Sequence, residues 1–230
     1  MRPYDYILLD ADNTLFDFDR AEYLALKDTA RGLLGLELTD EQVALYSEIN
    51  RSYWRRFERG EVQRPDFLLD RFRDYLSLLG CTADIAVFNR TYMASLGSFG
   101  VLFPGAQAFV RHLTEAGLVT AVITNGASVT QHRRFDTSPI RPLLRDVFIS
   151  EELGVQKPEA AYFDRVCAAL GIADRRRAVV VGDTLSSDIL GGINAGMDTI
   201  WYNPKNLPPR PDIIPTRRAD TYEALEQLLL

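Results

Sequence analysis

An apolar run that ends in two closely spaced carboxylates lies near the start of the chain. Residues 6–9 read Tyr-Ile-Leu-Leu, and Asp10, Asp12, Asn13 and Thr14 follow. A short, uninterrupted apolar run is typical of a strand buried inside a parallel sheet, and the Asn-Thr pair favours a turn after it. Two carboxylates this close repel each other unless a cation or a proton lies between them. The stretch therefore predicts a metal site, a raised pKa, or both, at the end of a strand.

Length and composition limit the classes of protein to which the chain can belong. With 230 residues, 47% hydrophobic and 25% charged, it has the make-up of a globular protein of roughly one or two domains. Its formal net charge of -6 gives no support for binding a nucleic-acid polymer. No apolar run approaches the roughly 18 residues of a membrane span, and no signal-peptide pattern is visible. Cys81 and Cys167 are expected to be reduced, and the protein is expected in the cytoplasm.

The block from residue 17 to 97 has helical periodicity. Apolar residues recur at helical spacing in four segments with short connections, as in an antiparallel bundle. The expected helices span about residues 19–34, 39–57, 65–79 and 83–96. Thr39 and Gln42 predict a capping box at the start of the second helix. The segment Gly97 to Gly100 is interpreted as a hinge.

Strand and helix patterns alternate from residue 98 onwards. The predicted strands are residues 119–124, 147–150, 178–181 and 199–202, and residues 6–9 add another strand. This alternation predicts an α/β fold, a Rossmann-like doubly wound parallel sheet with helices on both faces. The expected α/β core consists of residues 1–16 and 98–230, and residues 17–97 are expected to form an inserted α-helical bundle, a cap over the strand ends.

Polar side chains follow several predicted strands, and in a parallel sheet these strand ends converge on one edge. The residues concerned are Asp10, Asp12, Thr124, Asn125, Lys157, Asp183 and Asp188. Clustered carboxylates suit a hard cation such as Mg²⁺, which also binds substrate phosphate. Thr124 is predicted where a strand turns into a helix, so backbone N–H groups there can receive a phosphate, and Lys157 adds a positive charge. Each motif alone is commonly a turn or a loop; their joint occurrence at strand ends favours a functional site.

In these motifs the sequence resembles the haloacid dehalogenase superfamily of hydrolases, over essentially the whole chain. The resemblance rests on Asp10-Ala-Asp12-Asn-Thr14, on Thr124 at the end of a strand, on Lys157, and on Gly182-Asp183-x-x-x-x-Asp188. The motifs Asp-Ala-Asp-Asn-Thr-Leu-Phe and Gly-Asp-Thr-Leu-Ser-Ser-Asp-Ile, and the stretch 57–64, look like the pyrimidine 5'-nucleotidase branch. The resemblance implies a Mg²⁺-dependent phosphatase with a helical cap.

The resemblance also implies a role for each motif residue. Asp10 would be the nucleophile that forms an aspartyl-phosphate, and Asp12 would be the general acid and base. Mg²⁺ would be bound by Asp10, the backbone carbonyl of Asp12 and Asp183, with Asp188 supporting the metal shell or a metal-bound water. The catalytic groups that bind the phosphoryl oxygens would be Thr124, Asn125 and Lys157.

The expected function is hydrolysis of a small-molecule phosphomonoester, with a nucleoside 5'-monophosphate as the first choice. A phosphoglycolate-like phosphatase and a phosphosugar mutase are the enzyme alternatives. From another class, the chain could be a catalytically idle binding protein on the same fold, although such a protein would be expected to lose Asp10, Asp12 or Lys157. A dehalogenase would not need Asp12, because a halide leaves without a proton. No nucleic-acid or membrane partner is expected, and the protein is expected to be a monomer or homodimer.

Overall fold

The structure, a computed structural model, describes residues 3–230. Within this range a six-stranded parallel sheet has helices on both faces, which confirms the predicted fold class. The strands are β1 Tyr6–Asp10, β2 Val119–Thr124, β3 Val147–Ile149, β4 Ala178–Gly182, β5 Asp198–Tyr202 and β6 Arg217–Ala219. Their spatial order is β3-β2-β1-β4-β5-β6. The first strand of the chain therefore lies near the middle of the sheet.

The burial of β1 explains its uninterrupted apolar sequence. Ile7 and Leu9 pack into the hydrophobic core on one face of the sheet, and Leu8 packs into the core on the other face. β1 pairs with β2 on one side and with β4 on the other, and Asp10 lies opposite Ile123. The carboxyl ends of these three strands consequently lie side by side.

The first four helices after β1 form the helical block that the periodicity predicted. They are α1 Phe18–Leu34, α2 Asp40–Glu58, α3 Arg64–Leu78 and α4 Ile85–Ser98. The remaining helices are α5 Ala106–Glu115, α6 Ser128–Asp136, α7 Ser150–Leu153, α8 Ala160–Leu170, α9 Leu190–Asn194 and α10 Tyr222–Leu229. None of the helices within the described range has the length and apolar character needed to cross a membrane.

Helices α1 to α4 share a hydrophobic core of their own, in which rings of Tyr46, Phe72 and Tyr92 contact one another. The predicted capping box at the start of α2 is present: the Thr39 hydroxyl accepts the N–H of Gln42, and the Gln42 side chain accepts the N–H of Thr39. The separate core is what an inserted bundle requires. The division into cap and core domains stays a prediction.

Three local features differ from the sequence prediction. β6 was not predicted, because Arg217 and Arg218 are exposed and the strand has no apolar run. The loop after β4 leads into a wide π-type turn over Leu185–Ile189, which the sequence pattern did not predict. The glycine at position 97 lies inside α4, where an added Cβ would be 3.0 Å from the Cβ of Arg133. Close packing against α6 therefore accounts for this glycine, and a hinge motion stays a prediction.

Candidate active site

Lys157 is buried between the ends of the central strands. Its Nζ donates to Oδ1 of Asp10 at 2.7 Å, to Oδ1 of Asp188 at 2.7 Å and to the carbonyl oxygen of Ile123 at 2.9 Å. An ammonium group has three N–H donors, so these contacts use all of them. Burial acts to lower the pKa of Lys157, but the two carboxylates more than offset this effect, and the pKa is raised. The lysine therefore stays charged and holds Asp10 in place.

Asp10, Asp183 and Asp188 form a cluster in which one oxygen of each lies within 4.8 Å of the others. Burial, with repulsion from Asp188, raises the pKa of Asp10 to about 7 despite the nearby Lys157. Burial also raises the pKa of Asp183 well above its usual range, and repulsion from Asp10 and Asp188 adds to this. Three carboxylates thus share one ammonium group. The remaining negative charge suits a hard divalent cation such as Mg²⁺.

The hydrogen bonds of the three carboxylates differ in what they leave available for a metal. Lys157 and the N–H of Thr184 bind one oxygen each of Asp188. Asp10 and Asp183 use only Oδ1 within residues 3–230, for Lys157 and the Thr184 hydroxyl respectively. Their Oδ2 atoms are left for a cation, so these two fit as direct ligands. Asp188 fits better as a residue that acts through a bound water.

The loop after β1 is tied to the loop after β4. The N–H of Asp183 donates to Oγ1 of Thr14 at 3.2 Å, and its carbonyl accepts the indole N–H of Trp201 at 2.8 Å. The carbonyl of Thr14 accepts the hydroxyl of Tyr222 at 2.7 Å. Asn13 completes the turn with a φ of 60°, a conformation that asparagine tolerates well. Thr14 therefore braces the loop after β1 against the loop that carries Asp183.

The two residues after β2 have different environments. Oγ1 of Thr124 accepts the N–H of Gly126 at 3.0 Å, which leaves its own proton available for a ligand. The Asn125 side chain pairs with the backbone of Lys157, donating to its carbonyl at 2.8 Å and accepting its N–H at 2.9 Å. The sequence predicted that Asn125 and Lys157 bind phosphate. In the structure the asparagine amide orients the lysine, and the lysine orients Asp10.

Asp12 has two partners that the sequence motifs did not identify. Nε2 of Gln131 donates to its Oδ2 at 2.9 Å, and Nη1 of Arg134 forms an ion pair with its Oδ1. The Asp12 side chain is 26% exposed, whereas that of Arg134 is fully buried. A spacing of three places Gln131 and Arg134 on the same face of α6. That spacing is visible in the sequence, but nothing local shows which residue the pair contacts.

A cleft of about 890 Å³ opens over these residues, between the helices that follow β1 and the strand ends. Trp54, Arg55 and Glu58 of α2 line it opposite Asp10. The Ser186 hydroxyl donates to Glu58 at 2.7 Å, and burial raises the pKa of this glutamate. A concave site of this size with convergent polar groups suits a small-molecule ligand.

The sequence matches the family model of the haloacid dehalogenase-like hydrolases over residues 4–196. It is 35% identical to the HAD-hydrolase YfnB of Bacillus subtilis, over 100% of this chain and 97% of YfnB. It is 32% identical to the pyrimidine 5'-nucleotidase YjjG of Escherichia coli, with 98% of each chain covered. It is 31% identical to the pyrimidine 5'-nucleotidase PynA of Streptococcus pneumoniae, with 96% of this chain and 93% of PynA covered.

The structural comparison agrees with the sequence comparison. A crystal structure of YfnB bound to magnesium superposes on this chain with a TM-score of 0.93, at 35% identity and with 99% of both chains covered. The match extends over the sheet, the four helices after β1 and the strand ends that carry the acidic cluster. This protein therefore belongs to the haloacid dehalogenase-like hydrolase family and is an enzyme of the hydrolase class.

Proposed function

We propose that this protein is a Mg²⁺-dependent phosphatase whose substrate is a nucleoside 5'-monophosphate. One observation carries the proposal: Asp10 is held by a buried lysine at the end of the central strand, beside two further carboxylates and two residues from Asp12. The names of YjjG and PynA support the nucleotide substrate. The magnesium in the YfnB crystal structure supports the choice of metal.

The proposed reaction has two steps. Asp10 attacks phosphorus in line, the bond from phosphorus to the ester oxygen breaks, and Asp12 protonates the departing oxygen. A water then attacks the aspartyl-phosphate while Asp12 accepts its proton, which releases inorganic phosphate and restores Asp10. Lys157 holds the Asp10 carboxylate in place through Oδ1 during both steps. This sequence of steps requires two separate carboxylates, a nucleophile and an acid, which Asp10 at the end of β1 and Asp12 in the following turn supply.

The phosphoryl group would be bound by the hydroxyl of Thr124 and by backbone N–H groups, including that of Asn125, at the turn into α6. Asp10, the backbone carbonyl of Asp12 and Asp183 would hold Mg²⁺, with Asp188 behind them. When bound, the ion supplies positive charge that offsets the repulsion between the nucleophile and the phosphate.

We also propose that residues 17–97 form a cap that recognises the part of the substrate beyond the phosphate. Trp54 is the candidate for stacking on a base. Its ring packs edge-on against Phe57 and Phe67, with centroids 5.7 Å and 5.0 Å apart, while the residue itself remains partly exposed in the cleft. A ring that is already fixed loses little conformational entropy when a base stacks on it.

Hydrolysis of p-nitrophenyl phosphate tests the chemistry. Turnover is expected with Mg²⁺, and it should be lost with EDTA and in Asp10→Asn. The matched control is Asp136→Asn, which changes an exposed aspartate at the end of α6 and should retain activity. Nucleoside 5'-monophosphates, phosphoglycolate and sugar phosphates are then compared by kcat/KM. A preference for another phosphomonoester would overturn the nucleotide assignment alone, and inactivity of the wild type across the whole panel would overturn the phosphatase proposal.

A further inference from the structure

Asp12 lies on a turn, and its side chain depends on contacts from elsewhere in the chain for a fixed direction. It follows β1 directly, where the N–H of Leu15 donates to the carbonyl of Ala11 and the N–H of Asn13 donates to that of Phe16. A partly exposed aspartate at such a position has several staggered rotamers to choose from. Gln131 binds one carboxyl oxygen and Arg134 binds the other. Contacts to both oxygens restrict rotation about both side-chain bonds.

Arg134 is itself held with little freedom. Its guanidinium lies over the ring of Phe16, 4.9 Å from the centroid, and Phe16 packs edge-on against Phe135. Within residues 3–230, its Nε and Nη2 have no hydrogen-bond partner. A buried charge with so few polar partners is a poor means of stabilising a fold, because its desolvation is only partly offset. The ion pair of Arg134 with Asp12 instead fixes the position of the Asp12 carboxyl.

Two glycines from separate parts of the chain make room for these side chains. A Cβ at Gly126 would lie 2.0 Å from Nε2 of Gln131, and a Cβ at Gly100 would lie 2.4 Å from Cγ of Arg134. Real Cβ atoms essentially never approach other atoms so closely. Any larger residue at either position would therefore displace the side chain that contacts Asp12.

We propose that Gln131 and Arg134 are positioning residues that hold the Asp12 carboxyl where it delivers its proton to the leaving oxygen. This inference rests on the proposed phosphatase function. As the bond from phosphorus to the ester oxygen breaks, the O–H bond of Asp12 breaks and the proton passes to that oxygen. Gln131 and Arg134 bind the carboxylate that remains. Their loss would leave the attack by Asp10 intact and impair only the departure of a leaving group that needs a proton.

The test compares two substrates that differ in this need. p-Nitrophenolate leaves readily without a proton, whereas the 5'-oxygen of a nucleoside does not. We measure kcat/KM, because it covers the steps up to the departure of the alcohol or phenol. A general acid contributes about 10²- to 10⁴-fold, so Arg134→Met and Gln131→Met should lower kcat/KM for the nucleotide by about 10- to 100-fold and that for p-nitrophenyl phosphate by much less. Arg134→Lys should restore part of the loss.

Two further variants show whether the effect of Arg134→Met on the ratio of the two kcat/KM values arises through Asp12. In an Asp12→Asn background, Arg134→Met should change the ratio of the two kcat/KM values no further, because the residues act through one another. Arg133→Met, an exposed neighbour on α6, should leave both values unchanged. If Arg134→Met does not fold, Gly100→Ala provides the test, since it displaces Arg134 and keeps its charge.

The outcomes separate the two proposals. An active wild type whose variants lose the same factor on both substrates would overturn the positioning role and leave the phosphatase intact. An effect of Arg134→Met on the ratio that persists in Asp12→Asn would overturn it as well. A wild type inactive on both substrates would overturn the phosphatase proposal and this inference with it.

Discussion

The charge balance around Asp10 predicts how the stability of the metal-free protein depends on pH. Burial and the repulsion from Asp188 raise the pKa of Asp10 from its ordinary 3.8 to about 7 in the folded chain. The folded state therefore binds this proton more tightly than the unfolded state does. The resulting stabilisation is fully present below the unfolded pKa and is lost as the pH rises through about 7.

The size of the effect follows from the two pKa values. Each tenfold difference in proton affinity is worth about 1.4 kcal/mol, so a rise from 3.8 to about 7 corresponds to about 4 kcal/mol of unfolding free energy. That is a large share of the roughly 5–15 kcal/mol by which a domain is stable. Asp183, which is raised for the same reasons, acts in the same direction.

Urea unfolding in EDTA measures the contribution of Asp10 to the unfolding free energy. The pH is varied from below the ordinary aspartate pKa to above neutral. The quantity of interest is the unfolding free energy of Asp10→Asn minus that of the wild type, because titrating groups that do not interact with Asp10 cancel in the difference. Asp183, whose pKa Asp10 helps to raise, changes the difference in the same direction. The difference should grow by about 4 kcal/mol as the pH rises. Asp136→Asn, an exposed substitution at the end of α6, is the matched control variant. A flat difference for Asp10→Asn, or one that shrinks with pH, would show that Lys157 outweighs burial and would refute the reasoning.

Three other substitutions test separate parts of the structure. Lys157→Met leaves Asp10 and Asp188 buried without their ammonium partner, so the unfolding free energy measured in urea should fall by about 3–5 kcal/mol. Turnover should also be lost. An unchanged unfolding free energy would contradict the stabilising role of Lys157 between the two carboxylates. Thr39→Ala removes the capping box of α2 and should cost about 1 kcal/mol with kcat/KM unchanged, and a change in kcat/KM would link this cap to the site. Trp54→Ala should raise KM for nucleotides about tenfold and leave KM for p-nitrophenyl phosphate unchanged. An equal rise in KM for both substrates would argue against stacking of Trp54 on the base.

Most of the sheet could be predicted from the sequence because its strands are buried on both faces. β1 and β4 have continuous apolar runs, and β2 is apolar apart from Thr120 and its last residue, Thr124. That pattern does not depend on which strands are neighbours. β6 has only three residues, two of them exposed arginines, and forms because β5 offers a free edge beside it. Pairing with β5, rather than any local preference of the sequence, determines this strand.

The gathering of Asp10, Lys157, Asp183 and Asp188 could be predicted for a similar reason. The carboxyl ends of parallel strands lie at one edge of the sheet, so polar residues that follow them lie close together whatever the directions of their side chains. The structure brings these four residues together. The hydrogen-bond partners could not be predicted. Whether Asn125 faces a phosphate or the backbone of Lys157 depends on a side-chain direction that the strand pattern leaves open.

Gly100 is another residue whose contact with a distant side chain could not be predicted from the sequence. In the sequence it marks a hinge between helical block and sheet, whereas in the structure it leaves space for Arg134, a residue 34 positions away. The two interpretations predict different kinetics for Gly100→Ala. A hinge that limits cap closure precedes the chemistry of every substrate, so its stiffening would lower kcat/KM for p-nitrophenyl phosphate and a nucleotide by the same factor. Displacement of Arg134 would lower kcat/KM selectively for the nucleotide, because only the nucleotide needs the proton of Asp12.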